Sequence, residues 1–143
     1  MTIHQISVFL ENRAGQLADI TGILSDNHVD LRAINIAETA DYGVLRLIVD
    51  DAQRASSILL EQGFILTMTP VVAVAVPDRP GGLNEVLQVI SREGIDVEYM
   101  YSVFGQKNGL AYMIFRVADA ELLRAVLTAN GLDAVAGEEL GVH

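Results

Sequence analysis

Asn12-Arg13-Ala14-Gly15-Gln16-Leu17 sets an amide, a guanidinium and a glycine just ahead of a run of regularly spaced apolar residues. The chain then repeats this pattern as Asp78-Arg79-Pro80-Gly81-Gly82-Leu83, a shift of 66 (81 − 15). Such a segment can seat an anion. Glycine lets the backbone turn sharply. A helix starting there presents unpaired N–H groups and partial positive charge to a carboxylate or phosphate. Asn12 and Asp78 stand where a side chain can meet a ligand's polar group. They are also ordinary turn and capping residues, and a cap orders the same N–H groups. Asp30 and Asp96, directly after Val29 and Ile95, put a carboxylate at the opening of a strand in each copy. Alone, each reads as a solvated turn residue. Together, a carboxylate-binding helix start and an anionic strand edge describe a receptor for a zwitterion, that is, an amino acid.

Other chemistry is thinly represented. His4, His28 and His143 are scattered, with no His or Cys partner at ligand spacing, so no metal is expected. His28 ends an expected helix, where a cation suits the dipole, and reads as structural. There are no cysteines, which excludes disulfides and thiolate chemistry. No Ser-His-Asp order, G-x-S-x-G elbow or P-loop is present. Arg13 and Arg79 keep a phosphate-gripping hydrolase open as an alternative, although no matching nucleophile is visible. The expectation is a non-enzyme without catalytic residues or cofactors.

Bulk properties narrow the partners. The net charge is −10, and it divides evenly: 4 − 9 = −5 for residues 1–70 and 5 − 10 = −5 for 71–143. No basic half exists to follow phosphates, so no nucleic-acid partner is expected. The longest pure apolar run, Val71 to Val76, is far short of the ~20 residues that span a bilayer. With no signal-peptide layout at Met1-Thr2-Ile3-His4-Gln5, no membrane partner and a cytoplasmic location are expected. Apolar residues make up 51% of the chain but aromatics only 6%, so the core should be Val, Ile, Leu and Ala.

The elements that must position the loops also recur. Ile3–Leu10 alternates as a strand, and Leu17, Ile20, Ile23 and Leu24 follow at helical spacing. Gly22 costs that helix about 1 kcal/mol relative to Ala and reads as close packing on a sheet. Val29–Glu38 and Gly43–Val49 read as a hairpin through Asp41, Tyr42 and Gly43. A helix then starts at Asp50 and Asp51 and stops at Gly63, Phe64–Met68 is a strand, and Pro70 ends it. The second copy gives a strand at Val71–Val76, a helix at Pro80–Gly94, and a hairpin of Ile95–Phe104 with Leu110–Val117. A helix at Ala118–Asn130 and a closing strand near Leu132–Ala136 complete it. The register drifts by two residues only at the end, where Gly63 pairs with Gly131. The expected class is α+β: two ferredoxin-like βαββαβ units, residues 1–69 and 70–143. Each is an antiparallel sheet with its helices on one face. The second strand of each unit falls at a sheet edge, and pairing of those edges would build an eight-stranded sheet.

Leu10-Glu11-Asn12-Arg13-Ala14-Gly15-Gln16-Leu17, followed by Asp30-Leu31, resembles the ACT domain, and the second copy resembles it again. ACT domains are βαββαβ regulatory modules of phosphoglycerate dehydrogenase, aspartate kinase and related enzymes of amino-acid metabolism. The resemblance covers essentially the whole chain. It implies a small ligand, commonly an amino acid, between the loop of one unit and the second strand of its neighbour. The implied ligand-binding residues are Leu10, Asn12, Arg13, Ala14, Gly15, Gln16 and Leu17 with Asp30, and Asp78, Arg79, Pro80, Gly81, Gly82 and Leu83 with Asp96. Asp30 falls where serine-binding relatives carry an Asn, and Leu10 and Val76 stand where they carry a His. That departure points away from serine toward a more apolar pocket. If the edges pair across copies, the first loop faces Tyr99, Met100 and Tyr101, which suit a histidine-like, aromatic or branched side chain. These three residues can equally plug the sheet. The expected protein is an allosteric, amino-acid-binding regulator, a homodimer acting on a separate enzyme or regulator. The competing reading is a ligand-free interaction module.

Overall fold

The computed structural model describes residues 2–11, 13–38 and 42–143. Its elements are β1 (Ile3–Glu11), α1 (Gln16–Asp26), β2 (Leu31–Glu38), β3 (Tyr42–Val49), α2 (Ala52–Glu61) and β4 (Leu66–Pro77). α3 (Gly82–Arg92), β5 (Tyr99–Lys107), β6 (Leu110–Arg116), α4 (Ala120–Ala129) and a short 3-10 helix, Gly137–Leu140, follow. The class is α+β, with six antiparallel strands in the hydrogen-bonded order β2-β3-β1-β4-β6-β5. By its contacts the chain divides into two compact units. One is His4–Thr69 with Gly141–His143, and the other is Pro70–Leu140 with the first residues through Ile3.

In the first unit, alternation on β1 turns Ile6, Val8 and Leu10 to one face. There they meet Ile20 and Leu24 of α1, Leu45, Leu47 and Val49 of β3, and Ala55 and Leu59 of α2. Both helices therefore cover the same face of the sheet. Arg54 of α2 donates to the carbonyl of Asn27, just past the end of α1. α2 begins at Asp51, whose carboxylate accepts from the Arg54 N–H at 3.1 Å. The second unit repeats the plan with Val72, Val74 and Val76, Val86 and Ile90, Phe115 and Val117, and Leu123 and Leu127. Asp119 caps α4 as Asp51 caps α2, accepting from the Leu122 N–H at 3.0 Å. The two-residue drift between copies is therefore already complete at these caps, before the glycine stops. Val71 through Val76 is buried on both faces of the sheet.

Two expectations need correction. Pro70 does not end a strand: β4 runs through it for 12 residues, closing the first unit and opening the second. Proline is tolerated in a strand where its missing N–H is not needed by the ladder. The pairing of β4 with β6 starts beyond it, at Val72↔Phe115. The Pro70 carbonyl meanwhile accepts from Arg116 Nη1 at 3.0 Å. Among the described residues the sheet consequently has six strands rather than eight. Leu132–Ala136 contributes only an isolated bridge, Val74↔Ala134. Two bonds hold it, Ala75 N–H to Asp133 O at 3.1 Å and Val135 N–H to Ala73 O at 2.8 Å. β2 bonds to β3 and β5 bonds to β6.

Candidate functional site

The two loops share a backbone. Arg13 N–H donates to Glu11 O at 2.8 Å and Arg79 N–H to Pro77 O at 3.0 Å, the same tight turn. Gly15 and Gly81 both take φ 85° and are the N-caps of α1 and α3. That left-handed geometry costs a residue with a Cβ about 1–2 kcal/mol, which accounts for the repeated glycine. Each loop arginine is braced to the first turn of its own helix. Arg13 pairs with Asp19 at 3.4 Å and Arg79 with Glu85 at 2.9 Å. Both pairs are exposed and hold loop shape more than they stabilise the fold. Asp19 and Glu85 are the partners that sequence reading missed, although they lie 66 positions apart (85 − 19) like everything else in this segment. α3 begins at Gly81 without a side-chain cap, and the Asp78 N–H donates to Gly109 O at 2.9 Å. Asn12 lies outside the described residues.

The first loop opens on a cavity of ≈ 490 Å³, lined by Leu10, Arg13, Ala14, Gly15, Gln16 and Leu17 together with Glu11, Ile36 and Gly43. Every expected residue of this loop except Asn12 is thus brought together, within one unit. Ile36 and Gly43 were not foreseen as lining residues. Gly43 sits opposite Leu10 in the ladder and, lacking a side chain, leaves space above the sheet. Its repeat at Gly109 was a legible signal. Ile36 shares the Leu45 rung of β3 and is 44% exposed on the helix-bearing face. The arrangement offers an apolar floor of Leu10, Leu17 and Ile36 beside the N–H groups of a helix start.

The fold is shared with known proteins. The family model of the ACT domain pair matches residues 1–142. The chain belongs to that family. Protein BT0572 from Bacteroides thetaiotaomicron is similar over 99% of this chain and 96% of its own, at 37% identity and a TM-score of 0.91. The ligand-free regulatory subunit of aspartate kinase from Thermus thermophilus shares the fold at 16% identity and a TM-score of 0.63, over 89% of this chain and 91% of its own. E. coli aspartokinase III, solved with lysine and aspartate, shares it at 15% identity and a TM-score of 0.53, over 90% of this chain and 31% of its own. No curated protein matches the chain.

In this ACT pair the two copies of the loop differ at three positions, Asn12/Asp78, Ala14/Pro80 and Gln16/Gly82. Gln16, the first residue of α1, has a full side chain. Its copy is Gly82, where an added Cβ would lie 1.9 Å from the Pro77 carbonyl oxygen. Asp78, Arg79, Pro80 and Gly81 are exposed, Gly82 is buried and Leu83 packs against the second core.

The ACT strand-opening aspartates line other grooves. Asp30 borders a cavity of ≈ 440 Å³ with Thr21, Leu24, Ser25, His28, Val29 and Leu31. Asp96 borders one of ≈ 390 Å³ with the matching residues of the second copy. Neither shares a residue with the first-loop cavity. The Asp30 carboxylate is engaged by Arg32 at 3.1 Å. His28 adopts φ 57° where its copy is Gly94, a left-handed position just past α1. Met100 packs on the second unit's core, while Tyr99 and Tyr101 stack with ring centroids 6.5 Å apart. Among the described residues no group of His, Cys, Asp or Glu is placed to hold a metal ion, and no helix is long and apolar enough to cross a membrane.

Proposed function

We propose that this ACT domain pair is a regulatory receptor holding a free amino acid with an apolar, branched or aromatic side chain in the first-loop cavity. The observation that carries this reading is the cavity itself. Its nine lining residues set the N-terminus of α1 against a floor of Leu10, Leu17 and Ile36. The helix start favours a carboxylate, and the floor favours hydrocarbon over a hydroxyl. Leu10, Leu17 and Ile36 offer a serine hydroxyl no hydrogen-bond partner. Membership of the ACT domain pair family, and a fold shared with an aspartokinase solved with lysine and aspartate, support an amino acid as the ligand without favouring a particular side chain.

A thermal-shift screen of the full chain against the twenty amino acids tests this reading. A ligand present at about 100 times its dissociation constant stabilises the native state by about 2.7 kcal/mol, a readable rise in melting temperature. The expected result is a selective rise for one apolar amino acid and none for serine. A flat response to all twenty would remove the receptor reading and favour the interaction module.

A further inference from the structure

Of the three differences between the two loops, Gln16 against Gly82 is the one that puts a buried side chain in one copy and none in the other. Gln16 is 7% exposed and lines the first-loop cavity. Its Oε1 is buried without a hydrogen-bond partner among the described residues. A buried amide oxygen deprived of a donor is costly, and native structures carry few of them. The first unit therefore holds an acceptor at the mouth of a helix that attracts a carboxylate, above an apolar floor. A molecule that satisfies all three has a carboxylate, an adjacent nitrogen donor and a hydrocarbon body. The second unit has no counterpart, because a Cβ at Gly82 would meet the Pro77 carbonyl oxygen at 1.9 Å.

We propose that Gln16 is the specificity-determining residue of the first-loop site. Its buried side-chain carbonyl accepts a hydrogen bond from the ligand's ammonium group, and the chain holds one ligand because only the first loop has this acceptor. The proposal rests on the reading of that cavity as an amino-acid site.

Calorimetric titration of the full chain with L-leucine and with 4-methylpentanoate, its analogue lacking the ammonium group, separates the two claims. Wild type should prefer leucine by about ten- to a hundredfold, the worth of a hydrogen bond to a charged group, with one leucine per chain. In Gln16→Leu that preference should collapse, while the ligand-free melting temperature holds or rises because an unpartnered acceptor has been replaced by hydrocarbon. Gln16→Glu keeps an acceptor in the same shape and should retain the preference. An undiminished preference in Gln16→Leu would overturn the role of Gln16 and leave the site standing. A lowered melting temperature in ligand-free Gln16→Leu, or two equal sites per chain, would also overturn the proposal. Failure of wild type to bind either probe overturns it as well, and the twenty-amino-acid screen then decides whether the site falls with it.

Discussion

Gly82→Ala is expected to destabilise the protein by at least about 3 kcal/mol, the upper range for forcing extra volume into a packed position. The obstacle is main chain, not a movable side chain: the Pro77 carbonyl oxygen and carbon lie 1.9 and 2.9 Å from the added Cβ. The loop between β4 and α3 must open for even one methyl group. Gly82 N–H also donates to Arg79 O at 3.0 Å, so opening the loop strains the turn that Arg79 belongs to. For a chain of this size the melting temperature should fall by about 10 °C. The matching change in the first copy, Gln16→Gly, removes a side chain where one already fits and should cost far less. Equal effects of the two changes would show that the loops do not differ as described.

Phe115→Ala should cost about 3–5 kcal/mol. Phe115 is fully buried in a core otherwise made of branched aliphatic residues, among Val72, Val74, Val86, Ile90, Leu123 and Leu127. It pairs with Val72 on one side and Met100 on the other, in the middle of the β4-β6-β5 ladder. With so few aromatics in the chain, no neighbouring ring can swing in to fill the space. Its copy in the first unit is Val49, which is just as buried. Phe115→Val therefore asks how far the second core depends on the larger ring, and it should cost less than Ala. Denaturant unfolding reads both, and a loss below about 1 kcal/mol for Phe115→Ala would contradict this packing.

The doubled loop was legible because its glycines answer a backbone requirement: Gly15 and Gly81 both sit at φ 85°, which sequence spacing alone announces. The helix faces were legible for the same kind of reason, since Ile20 and Leu24 must share one side of a helix with a 3.6-residue period. Strand continuity was not. Pro70 reads as a stop, and only the pairing pattern shows that β4 needs no donor there. The closing segment Leu132–Ala136 carries strand-like residues, yet a single bridge satisfies it. Within the candidate site, the six loop residues from Leu10 to Leu17 were readable as a cluster. The partners Asp19 and Glu85 and the floor residue Ile36 were not, because they become neighbours only through the turn and the sheet. The contrast between Gln16 and Gly82 was visible as letters. Its meaning depends on where the Pro77 carbonyl points, which no spacing rule supplies.

A free amino acid held by the first loop of this ACT domain pair would perturb that loop and leave the second nearly unchanged. The most direct measurement follows backbone amide chemical shifts of the isotope-labelled full chain as the best ligand from the thermal screen is titrated in. The largest changes are expected at Arg13 through Ala18, Ile36 and Gly43, with only small ones at Arg79 through Leu83. Changes centred instead on the Asp30 or Asp96 groove, or shared equally by the two loops, would contradict it.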